Sequence, residues 1–237
     1  MGTVTEIAEN LATIQARIAT ACERAGRDSR EVQLVAVSKF HPPNSVAAAA
    51  SLGLSIFGES RVQEAKSKIP LCPARLEWHL IGHLQSNKAR DAVALFTTIQ
   101  SVDSLSLAQE LQRQAEKQSR TLRILLEVNV AGEATKFGWT PTRLLAELTE
   151  INSLPRLEIH GLMTMAPFAT PEKVRPVFRQ LREFRDRCAD SLGAPLPVLS
   201  MGMSSDFEIA IEEGATLIRI GSSLFGKRPQ RAAVPED

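Results

Sequence analysis

Apolar positions follow two alternating rhythms along this chain. Thr3-Val4-Thr5-Glu6 supplies a capping box, and Ile7, Leu11, Ile14 and Ile18 then share one helical face that Gly26 stops, so residues 1–26 are predicted as an amino-terminal helix. Eight short apolar runs follow, at 32–37, 54–57, 78–81, 96–99, 123–130, 157–162, 196–199 and 216–220. They lack inside–outside alternation, as strands covered on both faces do. Helical periods lie between them: Leu107, Leu111 and Ala115; Leu144, Leu145, Leu148 and Ile151; Val174, Val177, Phe178, Leu181 and Phe184. Thr140-Pro141 and Thr170-Pro171 mark helix starts, a capping hydroxyl before a proline whose missing N–H costs nothing in the first turn.

Such alternation requires crossover connections and a parallel sheet, and eight repeats favour closure. The expected fold is α/β, a single-domain TIM-type (β/α)8 barrel with an additional amino-terminal helix. An open doubly wound sheet would announce itself by G-x-G-x-x-G after the first strand, which is missing. The 17 residues after the last run are too few for a long final helix plus a tail. The amino-terminal helix is therefore expected to fill the vacant place in the outer ring. All 237 residues are assigned to one domain, with 227–237, rich in charge and holding two prolines, as a loose tail.

Composition narrows the partners. With 28 basic and 27 acidic side chains the net charge is +1, so no long-range field gathers nucleic acid or an anionic membrane. Cys22, Cys72 and Cys188 are an odd number without metal spacing, and read as reduced thiols in a cytoplasmic protein. The amino terminus mixes Glu6 and Glu9 with its apolar residues, unlike a signal peptide, and no apolar run reaches membrane-spanning length.

In a barrel the chemistry belongs at the carboxyl ends of the strands. Lys39 closes the first run, Val35-Ala36-Val37-Ser38-Lys39, and Arg219-Ile220-Gly221-Ser222-Ser223 closes the last, so closure makes them neighbours. The loop 200–206 ends the seventh strand and is expected to open a helix at Ser204. Backbone donors there, the Ser204 hydroxyl and the Gly221-Ser222 turn converge on a phosphate site, the usual place for one in this fold. An amine beside a phosphate cradle fits a phosphate-bearing aldehyde. Other groups have plainer readings. His79 and His83 are four apart, but on a strand that separates them by about 13 Å, so no metal site is expected. Lys88 and Lys136 read as surface or cap residues, Met163, Met165, Met201 and Met203 as core filling, and Arg179, Arg182, Arg185 and Arg187 as a solvated face beside Glu183 and Asp186.

Six ordered segments carry a family resemblance: 35–39; Phe57-Gly58-Glu59-Ser60-Arg61-Val62-Gln63-Glu64; 78–88, beginning Trp78-His79-Leu80; Gly161-Leu162-Met163-Thr164-Met165; 200–204; and 219–222. From about Leu34 to Arg228 the chain resembles the pyridoxal phosphate homeostasis proteins, single-domain relatives of the alanine racemase-type barrel. The resemblance implies pyridoxal 5′-phosphate (PLP) held as an aldimine on Lys39, with Arg219 facing the pyridine nitrogen and Ser204, Gly221 and Ser222 holding the phosphate. Ser60 stands where many relatives carry asparagine, and Gln100 where they often carry histidine. The implied role is intracellular vitamin B6 homeostasis, as a carrier or regulator of PLP without robust catalysis. PLP and PLP-dependent apoenzymes are the implied partners, with no nucleic acid, membrane or resident metal, and a monomeric state. The alternative is a PLP-dependent racemase or lyase. Related racemases resemble a two-base design of lysine and tyrosine, and this chain has no tyrosine, leaving His83, His160 or Cys72 as substitutes.

Overall fold

The computed structural model describes residues 3–133, 135–167 and 169–226. Its elements run α1 (Val4–Arg24), β1 (Gln33–Val37), α2 (Pro43–Ser51), β2 (Ile56–Glu59), α3 (Val62–Lys68), β3 (Glu77–Leu80), α4 (Ala89–Leu95), β4 (Thr98–Val102) and α5 (Leu105–Lys117), then β5 (Leu122–Glu127), α6 (Pro141–Asn152), β6 (Leu157–Met163), α7 (Pro171–Leu192), β7 (Val198–Ser200), α8 (Phe207–Glu212), β8 (Leu217–Ile220) and α9 (Ser222–Phe225). All eight strands are parallel to their neighbours, and β8 pairs back onto β1 to close the barrel. The fold expected from the alternation is the fold observed. The segment 227–237, read as a loose tail, lies outside the described residues.

Local chemistry sets the element ends. Thr3 caps α1 as the spacing predicts: its hydroxyl accepts from the Glu6 amide, and the Glu6 carboxylate accepts from the Thr3 amide. Ile7, Leu11, Ile14 and Ile18 are buried, and the chain turns away at Gly26 with φ +64°. α1 packs against α8, α9 and α2, taking the place in the ring that the four-residue α9 cannot fill. Prolines open α6 and α7 behind Thr140 and Thr170. Proline would be expected to break a helix interior, yet α7 continues through Pro176.

The apolar residues divide into two clusters. A large outer shell joins the barrel's outer face to the helices and includes the apolar faces of α5, α6 and α7. A small inner cluster of Val35, Val37, Leu125, Met163 and Leu217 fills part of the barrel. Four strands differ from expectation by two or more residues at an end; β4 runs 98–102 rather than 96–99, and β7 runs 198–200 rather than 196–199. β2 lies two residues later than the run 54–57, because Gly58 and Glu59 carry the pairing with β3. β5 ends at Glu127, and Val128 makes a separate bridge to Trp139. The arginines of α7 form the expected solvated face at Arg179 and Arg187, and Arg185 pairs with Asp186, but the face also reaches beyond its own helix. Arg175, Arg179 and Arg182 reach across to buried Glu213 after α8, joining two ring helices. Among the described residues no helix is long and apolar enough to cross a membrane, and no cluster of His, Cys, Asp and Glu could hold a metal ion.

Candidate functional site

A cavity of about 320 Å³ opens at the carboxyl ends of β1, β7 and β8. Lys39, Ser204, Arg219, Gly221 and Ser222, the five residues singled out in the sequence, all line it. Lys39 and Arg219 meet because Val35 pairs with Arg219 and Ala36 with Ile220 across the β1–β8 seam. Gly221 sits tight against that seam, where an added Cβ would lie 3.3 Å from the Val37 carbonyl oxygen. The loop after β7 turns at Gly202, with φ +93°, and an added Cβ there would lie 2.6 Å from Ala210 Cβ. Its far side is fastened by the Asp206 carboxylate, which accepts from the Met203 amide at 2.6 Å. Ser204 Oγ accepts from the Ser223 amide at 3.4 Å and so ties the two loops together. α8 begins only at Phe207, so Ser204 and Ser205 form a turn rather than the expected helix start.

The remaining walls are mostly apolar, with Ser205 and His41 the polar exceptions. Val37, Ile81, Met165 and Met203 line the cavity, whereas Met163 and Met201 are buried core, so the four methionines split between the two roles. His41, from the Phe40-His41-Pro42-Pro43 segment after Lys39, also lines it and packs on Phe225 with ring centroids 5.0 Å apart. Its place in the wall had no signal of its own in the sequence. Of the groups weighed as a second base, His83 hydrogen-bonds Asp103 and stacks on Phe137. His160 pairs with Glu158 on β6, and Cys72 follows α3. None of the three lines the cavity. Lys136 donates to the Met165 carbonyl at the rim.

Arg219 is buried at 4% exposure. Burial lowers its pKa to about 10, opposed by the charges of Glu127 and Asp206, so it remains a cation at neutral pH. Its Nη2 donates to the Thr164 carbonyl at 2.9 Å and its Nη1 to Ser200 Oγ at 2.6 Å. A guanidinium only donates, so Ser200 Oγ accepts from it and keeps its own proton to give onward, and with Gln100 Oε1 toward Ser200 the later directions follow. Ser200 Oγ donates to Gln100 Oε1 at 2.6 Å, Gln100 Nε2 donates to His79 Nδ1 at 2.8 Å, and His79 Nε2 is left to donate to Glu77 Oε1 at 3.2 Å. A directed chain thus runs through the barrel from the cavity to the start of β3. Gln100, which stands where the resembling proteins often carry histidine, is its central link. Burial pushes the Glu127 carboxyl up to about 7, with Asp103 adding to the rise and Arg219 opposing it.

Behind Lys39 lies a second buried network that sequence reading passed over. Lys68 Nζ donates to the Ser38 carbonyl and to Glu59 Oε1, each at 2.9 Å, and to Glu64 Oε1 at 2.6 Å. Burial raises the Glu59 pKa, with the Lys68 charge opposing it. The only sequence signal was Glu64 four residues before Lys68, which is indistinguishable from an ordinary surface helix pair.

The site can bind an anion and present an amine to it within one partly apolar enclosure. Comparison with known proteins gives that arrangement a family. The alanine racemase N-terminal domain model matches residues 10–229. The chain is 46% identical over 222 residues to the pyridoxal phosphate homeostasis protein of Aquifex aeolicus, covering 93% of this chain and 97% of that one. The structure of PipY from Synechococcus elongatus with PLP bound superposes with a TM-score of 0.82 at 41% identity, over 93% of this chain and 100% of that one. An alanine racemase of Clostridium difficile shares the fold at a TM-score of 0.74 and 17% identity, with 94% of this chain matching 58% of the racemase. The chain therefore belongs to the alanine racemase N-terminal domain family and, within it, to the pyridoxal phosphate homeostasis proteins.

Proposed function

We propose that this protein binds PLP in the cavity between β1 and β8, with covalent attachment at Lys39, and holds or delivers it as part of vitamin B6 homeostasis without robust catalysis. The observation that carries this reading is the meeting of Lys39, Arg219, Ser204, Gly221 and Ser222 on one cavity. The residues present fit the group: hydroxyls and a tight glycine turn for a phosphate, methionine and aliphatic side chains for a flat ring, and a lysine for an aldehyde. When bound, the cofactor supplies an aldehyde carbon with which an unprotonated amine condenses, releasing one water.

The protein's own groups then have separate tasks. Ser204 and the Gly221-Ser222 turn orient the phosphate, and Lys39 enters from the β1 side. Arg219 would face the ring nitrogen with donors only; it would accept no hydrogen bond from a protonated nitrogen and would leave the ring a weak electron sink. That disfavours carbanion chemistry, and with no tyrosine in the chain the lysine–tyrosine pair of a two-base racemase is missing. PLP-dependent apoenzymes are the fitting recipients. The protein is taken to work as a monomer in the cytoplasm, without nucleic acid or membrane.

The test is borohydride reduction of protein incubated with PLP, followed by mass mapping. One adduct at Lys39, lost in Lys39→Ala, is expected; an unmodified Lys39 would end the proposal. Deuterium exchange at the α-carbon of a panel of amino acids separates the roles. Exchange no faster than in Lys39→Ala is expected, and rapid Lys39-dependent exchange would make the protein an enzyme.

A further inference from the structure

We propose that Lys68 is a positioning residue for Lys39, aiming it into the cavity through the two peptide groups that flank it. This rests on the reading of Lys39 as the attachment point. Lys68 ends α3 and is 6% exposed. Its three ammonium donors are all committed, to the Ser38 carbonyl, Glu59 and Glu64. Ser38 Oγ donates to the same Glu59 oxygen at 2.6 Å, and Glu64 Oε1 also accepts the Phe40 amide at 2.6 Å. The residue before Lys39 is thus held by its carbonyl and hydroxyl, and the residue after it by its amide. Both holds pass through one ammonium group.

The turn between them needs holding. Phe40 adopts φ +67°, the left-handed region that costs a side-chain-bearing residue conformational energy unless its surroundings impose it. Glu64 on its amide, with the Arg61 guanidinium 5.6 Å from its ring centroid, imposes it. In consequence Ser38 is buried against Glu59 while Lys39, the next residue, lines the cavity. Stability alone gives little reason for this network, because apolar side chains in place of both Lys68 and Glu59 would fill the space without desolvating a cation and a carboxylate. What the charges add is directional: three acceptors at fixed places around one donor group define the path of the backbone through Ser38 and Phe40.

The test compares wild-type full-length protein with Lys68→Met and Glu64→Ala. Lys68→Met strands buried Glu59 and risks unfolding. Glu64→Ala, at a side chain 21% exposed, removes the carboxylate acceptor of the Phe40 amide and leaves the Glu59–Lys68 pair intact, so it decides the question if Lys68→Met does not fold. Two readouts are taken on each folded variant. One is the rate at which borohydride-trappable adduct accumulates at Lys39 with PLP. The other is affinity for pyridoxine 5′-phosphate, which offers ring and phosphate but no aldehyde. Adduct formation is expected to slow about 10- to 100-fold while pyridoxine phosphate affinity stays unchanged. Glu64→Gln, which returns an acceptor oxygen to the Phe40 amide, is expected to recover most of the rate. Unchanged adduct rates in folded variants would overturn the inference, as would loss of both readouts by the same factor, the sign of a merely structural role. A wild-type protein giving no adduct at Lys39 would overturn the proposed function and this inference together.

Discussion

Glu127→Gln tests the electrostatics of the barrel interior, because glutamine mimics the protonated carboxyl without changing the shape of the side chain. Glu127 ends β5 and is 3% exposed. Loss of water around the carboxylate, with Asp103 nearby, outweighs the attraction of Arg219 and raises its pKa from 4.5 to about 7. At about 1.4 kcal/mol per tenfold change in proton activity, the rise corresponds to about 3 kcal/mol. The sign follows from proton counts. Between pH 4.5 and about 7 the folded protein keeps a proton that the unfolded chain has released, so this group's contribution to stability falls as pH rises through that window. The variant has no such proton to lose. Urea denaturation of both proteins should therefore give a difference that grows in favour of Glu127→Gln by up to about 3 kcal/mol as pH rises from 4.5 to about 8, then levels off. A difference that stays flat across the window, or favours the wild type at the alkaline end, would refute the account and place Glu127 in an effective partnership with Arg219.

Two further outcomes follow from the geometry. Gln100→Leu removes the acceptor of the Ser200 hydroxyl and the donor to His79 Nδ1. It should cost about 2–5 kcal/mol in denaturation experiments, and a cost below about 1 kcal/mol would mean that the chain to Arg219 is not a connected network. Gly202→Ala combines an unfavourable φ with a Cβ 2.6 Å from Ala210 Cβ and 2.9 Å from Phe207 Cα. A loss of about 2–4 kcal/mol is expected, with weaker pyridoxine phosphate binding as the loop after β7 shifts, and a neutral substitution would show that this loop relaxes freely.

Much of the fold was legible because each element buries a face whose period is written in the chain. The helical period of α7 appears at Val174, Val177, Phe178, Leu181 and Phe184, and all five are buried. The capping box at Thr3 needs only residues three apart. Strand edges were less legible. Leu54, half-buried, packs against the core without belonging to β2, because pairing partners rather than hydropathy decide where a strand begins. Lys39, Ser204, Arg219, Gly221 and Ser222 could be placed together from the sequence, since strand order and closure alone put the ends of β1, β7 and β8 side by side.

The sequence by itself determined the alternation of strands and helices, the eight repeats that favour closure and five of the residues at the barrel mouth, because periodicity and order along the chain are local properties. Only the tertiary structure decided which charges went inside. Lys68 and Glu64 look the same in sequence whether α3 turns them to water or to Ser38, and Gln100 carries no mark of lying between Ser200 and His79. A polar side chain's role depends on which donors and acceptors surround it once water has gone. Those partners come from strands and helices distant in the chain, and packing alone brings them into reach.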